Sequence, residues 1–183
     1  VKSAFIKGGT QIHIVKIASI EQPVAGINPH EQLRIKLEVD TQPPPCATFE
    51  MKYQLRPVPY SVRLYAPSSL FAGKIHALLC RSWKTRVKGR DFYDYVWFLS
   101  RSIPVNLAHL AERMKQTGHL SAAAALTEKD LQGLLHKRFA SVDFEQARKD
   151  VLPFIKNRDT VKLWSADFFS TITDDKLKIE KAK

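Results

Sequence analysis

Apolar and polar residues alternate along two stretches in the first third of the chain. These are "QLRIKLEVD", residues 32–40, and "TFEMKYQLR", residues 48–56. Leu33, Ile35, Leu37 and Val39 would share one face of the first strand, and Phe49, Met51, Tyr53 and Leu55 would point inward from the second. A period of two is typical of a half-buried strand. With "TQIHIVKIASI" (residues 10–20) and "YSVRLYA" (60–66), the pattern predicts a sheet of about four strands.

After Pro67 the apolar residues recur at helical spacing. "PSSLFAGKIHALLCRSW" places Leu70, Phe71, Ile75, Leu78 and Leu79 on one helix, with Ser68 or Ser69 as its N-cap. A second helix is predicted from about Asp91 to Ser100. Further helices are predicted over residues 105–117, 128–140, 144–157 and 164–172.

This change of pattern predicts an α+β fold with two parts. Residues 1–66 form a strand-rich part, and residues 67–183 form a helical lobe. No apolar run approaches the roughly 20 residues that cross a bilayer, so we expect no membrane partner. Cys46 and Cys80 stand alone, without metal-ligand spacing, which favours a reducing cytoplasm.

The chain is basic, with a net charge of +11 over 183 residues. A polyanion such as RNA is a natural partner for such a chain, because cationic side chains that neutralise phosphates release condensed counterions. A basic surface that only maintains solubility is the alternative, and charge by itself does not separate the two.

Glu38 and Asp40 are the first candidate site residues. They share the polar face of one predicted strand, at a separation of about 7 Å. Two carboxylates on a rigid strand can bind Mg²⁺. The plainer interpretation is a solvent-facing strand on which Arg34 and Lys36 balance these charges.

Lys74 interrupts the apolar face of the first predicted helix. Such a lysine can extend its charge to the edge of the core, or it can direct its ammonium group at a phosphate or carboxylate. Spacing alone does not decide between these roles.

Asp91 and Asp94 open the second helix, behind a basic loop that contains Lys84, Arg86, Lys88 and Arg90. Helix capping by Asp91 and a favourable helix-dipole interaction of Asp94 would explain both acids without a functional role. The four cations close to these aspartates also fit a phosphate site in which an aspartate positions a reacting group.

Taken together, "RIKLEVDTQPPP", "PYSVRLYAPSSLFAGKIHALLCR" and "VKGRDFYDYVWFLSR" resemble the nucleotidyltransferase AbiEii/AbiGii toxin family. The resemblance implies part of a polymerase-β-type mixed sheet followed by a helical C-terminal lobe. It also implies transfer of nucleotides from an NTP to an RNA acceptor, for some members a tRNA end, with Mg²⁺ and within a toxin–antitoxin or phage-defence system.

The resemblance further implies roles for particular residues. Glu38, Lys74 and Asp91 would be catalytic, with Glu38 and Asp40 as metal ligands. Asp91 would position the acceptor hydroxyl or hold Lys74. The residues expected to bind substrate are Lys74, Lys88, Arg90 and Asp94.

The family's first motif, Gly-Ser followed by Asp-x-Asp, is absent from this chain. We therefore expect a C-terminal portion of a longer nucleotidyltransferase that is inactive by itself, and a surface left by the missing part that drives dimerisation. The alternative functions are a non-catalytic RNA-binding module and a lobe that docks a cognate antitoxin.

Overall fold

The computed structural model describes residues 2–9, 32–82 and 86–180. The chain forms two compact units, residues 1–43 and residues 44–183. In the first unit, β1 (Lys2–Gly9) pairs with β2 (Gln32–Val39) in antiparallel register, with Lys2 opposite Val39. The strand predicted from "QLRIKLEVD" is therefore confirmed. The strand predicted at residues 10–20 lies outside the described residues.

The second unit begins with another antiparallel pair, β3 (Phe49–Gln54) and β4 (Tyr60–Tyr65). The described strands thus form two pairs, where the sequence predicted one sheet of four. The inward orientation predicted for Phe49, Met51, Tyr53 and Leu55 is wrong, because these side chains are between 45% and 75% exposed. A two-stranded pair has no second layer of its own, so alternation alone buries neither face.

Six α-helices follow in the described part of this unit, and with the strands they confirm the α+β class. They are α1 (Pro67–Cys80), α2 (Gly89–Ser100), α3 (Leu107–Gln116), α4 (Glu128–Ala140), α5 (Phe144–Val151) and α6 (Ala166–Lys176). The last four begin where a polar side chain accepts a hydrogen bond from a first-turn backbone N–H. These caps are Asn106, Thr127, Asp143 and Ser165.

Several helix boundaries differ from the prediction, and those of α1 and α5 have a clear physical cause. The N-cap of α1 is Ala66, while the hydroxyl of Ser69 accepts a hydrogen bond from the backbone N–H of Thr48 at 2.9 Å. The serines of the first turn thus anchor the loop before β3 instead of capping the helix. α5 ends at Val151 and not near 157, since Pro153 has no N–H to donate to an α-helical hydrogen bond; residues Leu152–Phe154 form a short 3-10 turn instead.

The core of the second unit contains a cluster of aromatic rings in mutual contact. Phe169 of α6 lies 5.3 Å from Phe92 of α2 and 5.0 Å from Phe144 of α5, ring centre to ring centre. The buried hydroxyl of Tyr95 lies 2.7 Å from that of Thr173. This packing fixes α2 against α5 and α6, and α2 carries both aspartates of the predicted site. None of the helices within the described ranges is long and apolar enough to cross a membrane.

Candidate functional site

Helices α1 and α2 run in opposite directions where they touch. Phe71, early in α1, stacks on Phe98, late in α2, with ring centres 4.7 Å apart. Lys74 lies within α1 and Arg81 is its C-cap residue, and their side chains face Asp94 and Asp91 of α2. The Lys74 Nζ is 2.6 Å from an Asp94 oxygen, and an Arg81 Nη is 2.5 Å from an Asp91 oxygen.

Lys74 lies on the exposed edge of the contact between these helices. Its neighbours Phe71, Ile75 and Leu78 are fully buried, yet the Lys74 side chain remains 45% exposed. The ammonium group therefore points away from the core and towards a carboxylate. The geometry contains both sequence-based alternatives for Lys74, because the charge lies at the edge of the core and also contacts a carboxylate, so its role stays a prediction.

Asp91 is not the N-cap that local sequence reasoning suggested. The cap position is Lys88, and Asp91 is the third residue of α2, 4% exposed. Burial raises the pKa of the Asp91 carboxyl above its ordinary value, while the charges of Arg81, Lys88 and Lys74 oppose that rise. A buried carboxyl with several cations close by is a common arrangement in active sites.

Asp150 of α5 holds the basic loop in front of α2. Its carboxylate accepts hydrogen bonds from the Arg86 side chain and from the Gly89 N–H, the latter at 3.0 Å. A Gln146 oxygen accepts a further hydrogen bond from the Val87 N–H. These bonds fix the backbone that carries Lys88 and Arg90, so the cations of this loop are positioned by α5.

Gly89 allows α2 and α5 to approach closely. A Cβ atom at this position would lie 2.0 Å from the carbonyl oxygen of Ala147, far inside van der Waals contact. Gly73 in α1 is different, because a Cβ atom there would meet the Arg113 guanidinium carbon at 3.8 Å, which is ordinary contact.

A cleft of about 640 Å³, called the first cleft below, opens beside these helices. It brings together all the substrate-binding residues predicted in the second unit. The polar residues that line it are Lys74, Lys88, Arg90, Asp91, Tyr93, Asp94, Lys156 and Asn157. The exposed ring of Phe154 forms part of the wall, with the guanidinium carbon of Arg90 4.6 Å from its centre. Cations outnumber carboxylates in this lining, which favours an anionic ligand.

A second cleft, of about 390 Å³, lies on the α3 side of α1. Lys74, Lys88 and Asp91 line both clefts, so they form the boundary between the two. The second cleft adds Arg81 and Arg113, together with Tyr65, Ser69 and His109. Sequence reasoning did not select Arg81, although its spacing of seven residues from Lys74 was a usable signal. Arg113 gave no such signal, because it comes from a different helix.

Glu38 and Asp40 belong to the first unit. The Lys36 Nζ lies 2.5 Å from a Glu38 oxygen, and an Asp40 oxygen accepts a hydrogen bond from the Gln42 N–H at 3.1 Å. Their convergence with Lys74 and Asp91 stays a prediction, and Lys84 lies outside the described residues. Over residues 2–9, 32–82 and 86–180, no three His, Cys, Asp or Glu side chains form a group suited to a metal. The described residues therefore do not by themselves fit the implied Mg²⁺ site.

Comparison with known proteins identifies the family to which this arrangement belongs. A family model for the nucleotidyl transferase AbiEii toxin of type IV toxin–antitoxin systems matches residues 4–171. No curated protein and no solved structure matches the chain significantly. The matched segment includes both clefts and nearly the whole chain. The chain therefore belongs to the AbiEii family of nucleotidyl transferase toxins.

Proposed function

We propose that this chain is the phosphate-handling part of a nucleotidyltransferase that moves a nucleotide from an NTP to an RNA acceptor, with a tRNA end as the first candidate. The observation that carries the proposal is the first cleft, where Lys74, Lys88 and Arg90 face Asp91 and Asp94. Type IV toxin membership adds a cognate antitoxin as partner. Since NTPs and tRNA are cytoplasmic, the proposal also places the protein in the cytoplasm.

In the proposed reaction, the acceptor hydroxyl oxygen forms a bond to the α-phosphorus of the NTP. The bond from that phosphorus to the bridging oxygen breaks, and pyrophosphate leaves with the electron pair. Such transfer depends on positioning and on neutralising phosphate charge. Lys74 supplies one positive charge at the boundary of the two clefts, where both can reach it.

The geometry favours a division of labour between the two aspartates. Asp94 already holds Lys74, at 2.6 Å, so the role of orienting the lysine falls to Asp94. Asp91 is then the group that orients the acceptor hydroxyl and accepts its proton. A carboxyl whose pKa is raised by burial is a better proton acceptor than an exposed one.

Mg²⁺ stays part of the proposal for the complete gene product, with Glu38 and Asp40 among its ligands. When bound, such an ion would neutralise phosphate charge. Because the family's Gly-Ser and Asp-x-Asp motif is absent from this sequence, we also propose that the 183-residue chain alone is inactive.

The direct test is incorporation of labelled NTP into bulk tRNA by the complete gene product in the presence of Mg²⁺. Lys74→Met and Asp91→Asn should each abolish incorporation, while both variants remain folded. Lys178→Met, at an exposed site outside both clefts, is the matched control and should retain activity. Undiminished incorporation by the Lys74 variant would refute the proposal. Incorporation by the 183-residue chain would refute only its predicted inactivity.

The same variants separate the transferase from a non-catalytic RNA-binding module. Transfer chemistry predicts that Asp91→Asn loses activity but keeps its affinity for tRNA. A binding module predicts that affinity falls when Lys88 and Arg90 are replaced and does not respond to Asp91. Filter binding of labelled tRNA, measured beside the incorporation assay, distinguishes the two.

A further inference from the structure

Arg113, on α3, is the most unusual cation of the second cleft. Its Nε–H group is buried and has no hydrogen-bond partner. No carboxylate in the described part of the chain lies within ion-pair distance of its guanidinium group, and the acid nearest in sequence, Glu112, pairs with Lys115. A buried donor without a partner lowers stability, so its presence needs an explanation.

The surroundings of Arg113 are positive or neutral. Its charge contributes, after burial, to lowering the pKa values of His76 and His109, which flank it on α1 and α3. His109 also stacks on Tyr65, with ring centres 5.9 Å apart, and both rings line the cleft. Neutral rings around a cation leave its field less screened than water would.

The position of Arg113 relates it to the predicted chemistry. Its guanidinium carbon lies 3.8 Å from where a Cβ atom of Gly73 would be, and Gly73 directly precedes Lys74. Lys74 and Arg81 are paired with Asp94 and Asp91, but Arg113 and Lys88 form no such pair within the described residues. The second cleft therefore holds two uncompensated cations beside the boundary that Lys74 shares with the first cleft.

We propose that Arg113, with Lys88, binds the pyrophosphate portion of the NTP in the second cleft, while Lys74 contacts the phosphate at the boundary between the clefts. The inference rests on the proposed transferase function. The departing pyrophosphate gains one negative charge when the bond to the α-phosphorus breaks. A planar guanidinium group with several N–H donors suits such a group better than a lysine does.

The test is calorimetric titration of the 183-residue chain with inorganic pyrophosphate in metal-free buffer. Arg113→Gln should weaken binding by about tenfold or more, because a hydrogen bond to a charged group is lost. Arg158→Gln, at an exposed position outside both clefts, is the matched control and should bind as the wild type does. Arg113→Lys keeps the positive charge but loses the paired N–H donors of the guanidinium group. Its pyrophosphate affinity should lie between that of Arg113→Gln and that of the wild type.

Thermal unfolding separates binding from a structural role. Because the Arg113 Nε–H is buried without a partner, replacement by Met should leave the melting temperature unchanged or raise it. A large fall in the melting temperature of Arg113→Met, together with an unchanged pyrophosphate affinity of Arg113→Gln, would assign Arg113 to structure and overturn the inference.

A second titration identifies the source of the phosphate. An oligoribonucleotide with a 5′-hydroxyl end carries backbone phosphates but no pyrophosphate, and its affinity should not depend on Arg113. If Arg113→Gln weakens oligonucleotide binding and leaves pyrophosphate binding intact, the site reads the RNA backbone and the inference is wrong. Pyrophosphate binding that depends on Arg113 would stand even if the complete gene product transferred no nucleotide, so the inference and the proposed function fail separately.

Discussion

The two ends of the contact between α1 and α2 carry ion pairs of the same kind in different surroundings. At one end, which we call the closed end, Asp91 pairs with Arg81, and Gly89 packs against α5; the Asp91 side chain is 6% exposed. At the other, the open end, Lys74 pairs with Asp94, and the two side chains are 45% and 36% exposed.

This difference in exposure gives the two ion pairs different roles. A charge removed from water depends strongly on its partner, so the closed end contributes to the fold as well as to the site. An exposed pair contributes little to stability, so the open end can exchange its partner for a substrate at low cost. Within the motifs of the predicted site, burial thus separates the ion pair that also stabilises the contact between the helices from the pair that a ligand can replace with little loss of stability.

The largest effect is expected at Gly89 of the closed end. Gly89→Ala would place a Cβ atom 2.0 Å from the Ala147 carbonyl oxygen, so α2 and α5 must separate. We expect the free energy of unfolding to fall by about 3 kcal/mol, measured by urea denaturation. Gly73→Ala is the matched control, since its Cβ atom has room and alanine favours a helix by about 1 kcal/mol. Equal stability of the two variants would show that the close approach of α2 to α5 is not required.

Next in size is the loss of Arg81. Arg81→Met leaves the buried Asp91 carboxylate without its closest cation, and we expect a loss of about 2 kcal/mol at pH 7, discounted for the partial exposure of Arg81. Burial already raises the Asp91 pKa, and removal of Arg81 raises it further. A carboxyl with a raised folded pKa destabilises the fold in full above that pKa, and this cost disappears as the pH falls to the ordinary value of 3.8, so the deficit should shrink as the pH falls. A deficit independent of pH would exclude the buried charge as its cause.

A third effect concerns His76, which α1 directs towards α3. Its Nε2 lies 2.9 Å from the Thr117 hydroxyl, and burial, followed by the charge of Arg113, lowers its pKa from 6.5 to about 4. Between these values the unfolded chain binds a proton that the folded chain does not, so stability falls as the pH decreases from 6.5 towards 4.

Replacement by glutamine tests this titration. His76→Gln should reduce the pH-dependent loss of stability by about 1 kcal/mol at pH 5, after discounting for solvent screening. Burial also lowers the pKa of His109, so part of the slope should remain. The readout is the melting temperature from pH 7.5 to pH 4.5, and an unchanged slope would contradict the assignment to His76.

The smallest effect on stability is expected at the open end. Lys74→Met should change the free energy of unfolding by no more than about 0.5 kcal/mol, because the ion pair with Asp94 is exposed. The comparison with Arg81→Met is direct, since each variant replaces a cation that is paired with an aspartate of α2 by the same apolar residue. A loss as large as that of Arg81→Met would show that the two ends do not differ.

The sequence predicted α4 to the residue and α2 and α3 to within two residues at each end, because periodic apolar positions over ten or more residues are a strong signal. It failed for the faces of β3, where an alternating pattern predicted burial and the two-stranded pair leaves Tyr53 and Leu55 exposed. It also extended α5 too far past Pro153. Local patterns therefore identified the elements but not what covers them.

For the site, the sequence by itself determined which side chains carry charge and which motifs join them: Lys74 on one helix, and Asp91 and Asp94 on the next. Only the tertiary structure decided that Arg81 forms an ion pair with Asp91, that Lys74 forms one with Asp94, and that Arg113 of α3 lines the second cleft. The reason is physical. Helical spacing fixes the side of a helix on which a residue lies. The ion-pair partner and the burial of that residue depend instead on how helices distant in sequence pack. Residues as far apart as Gly89 and Ala147 set that packing.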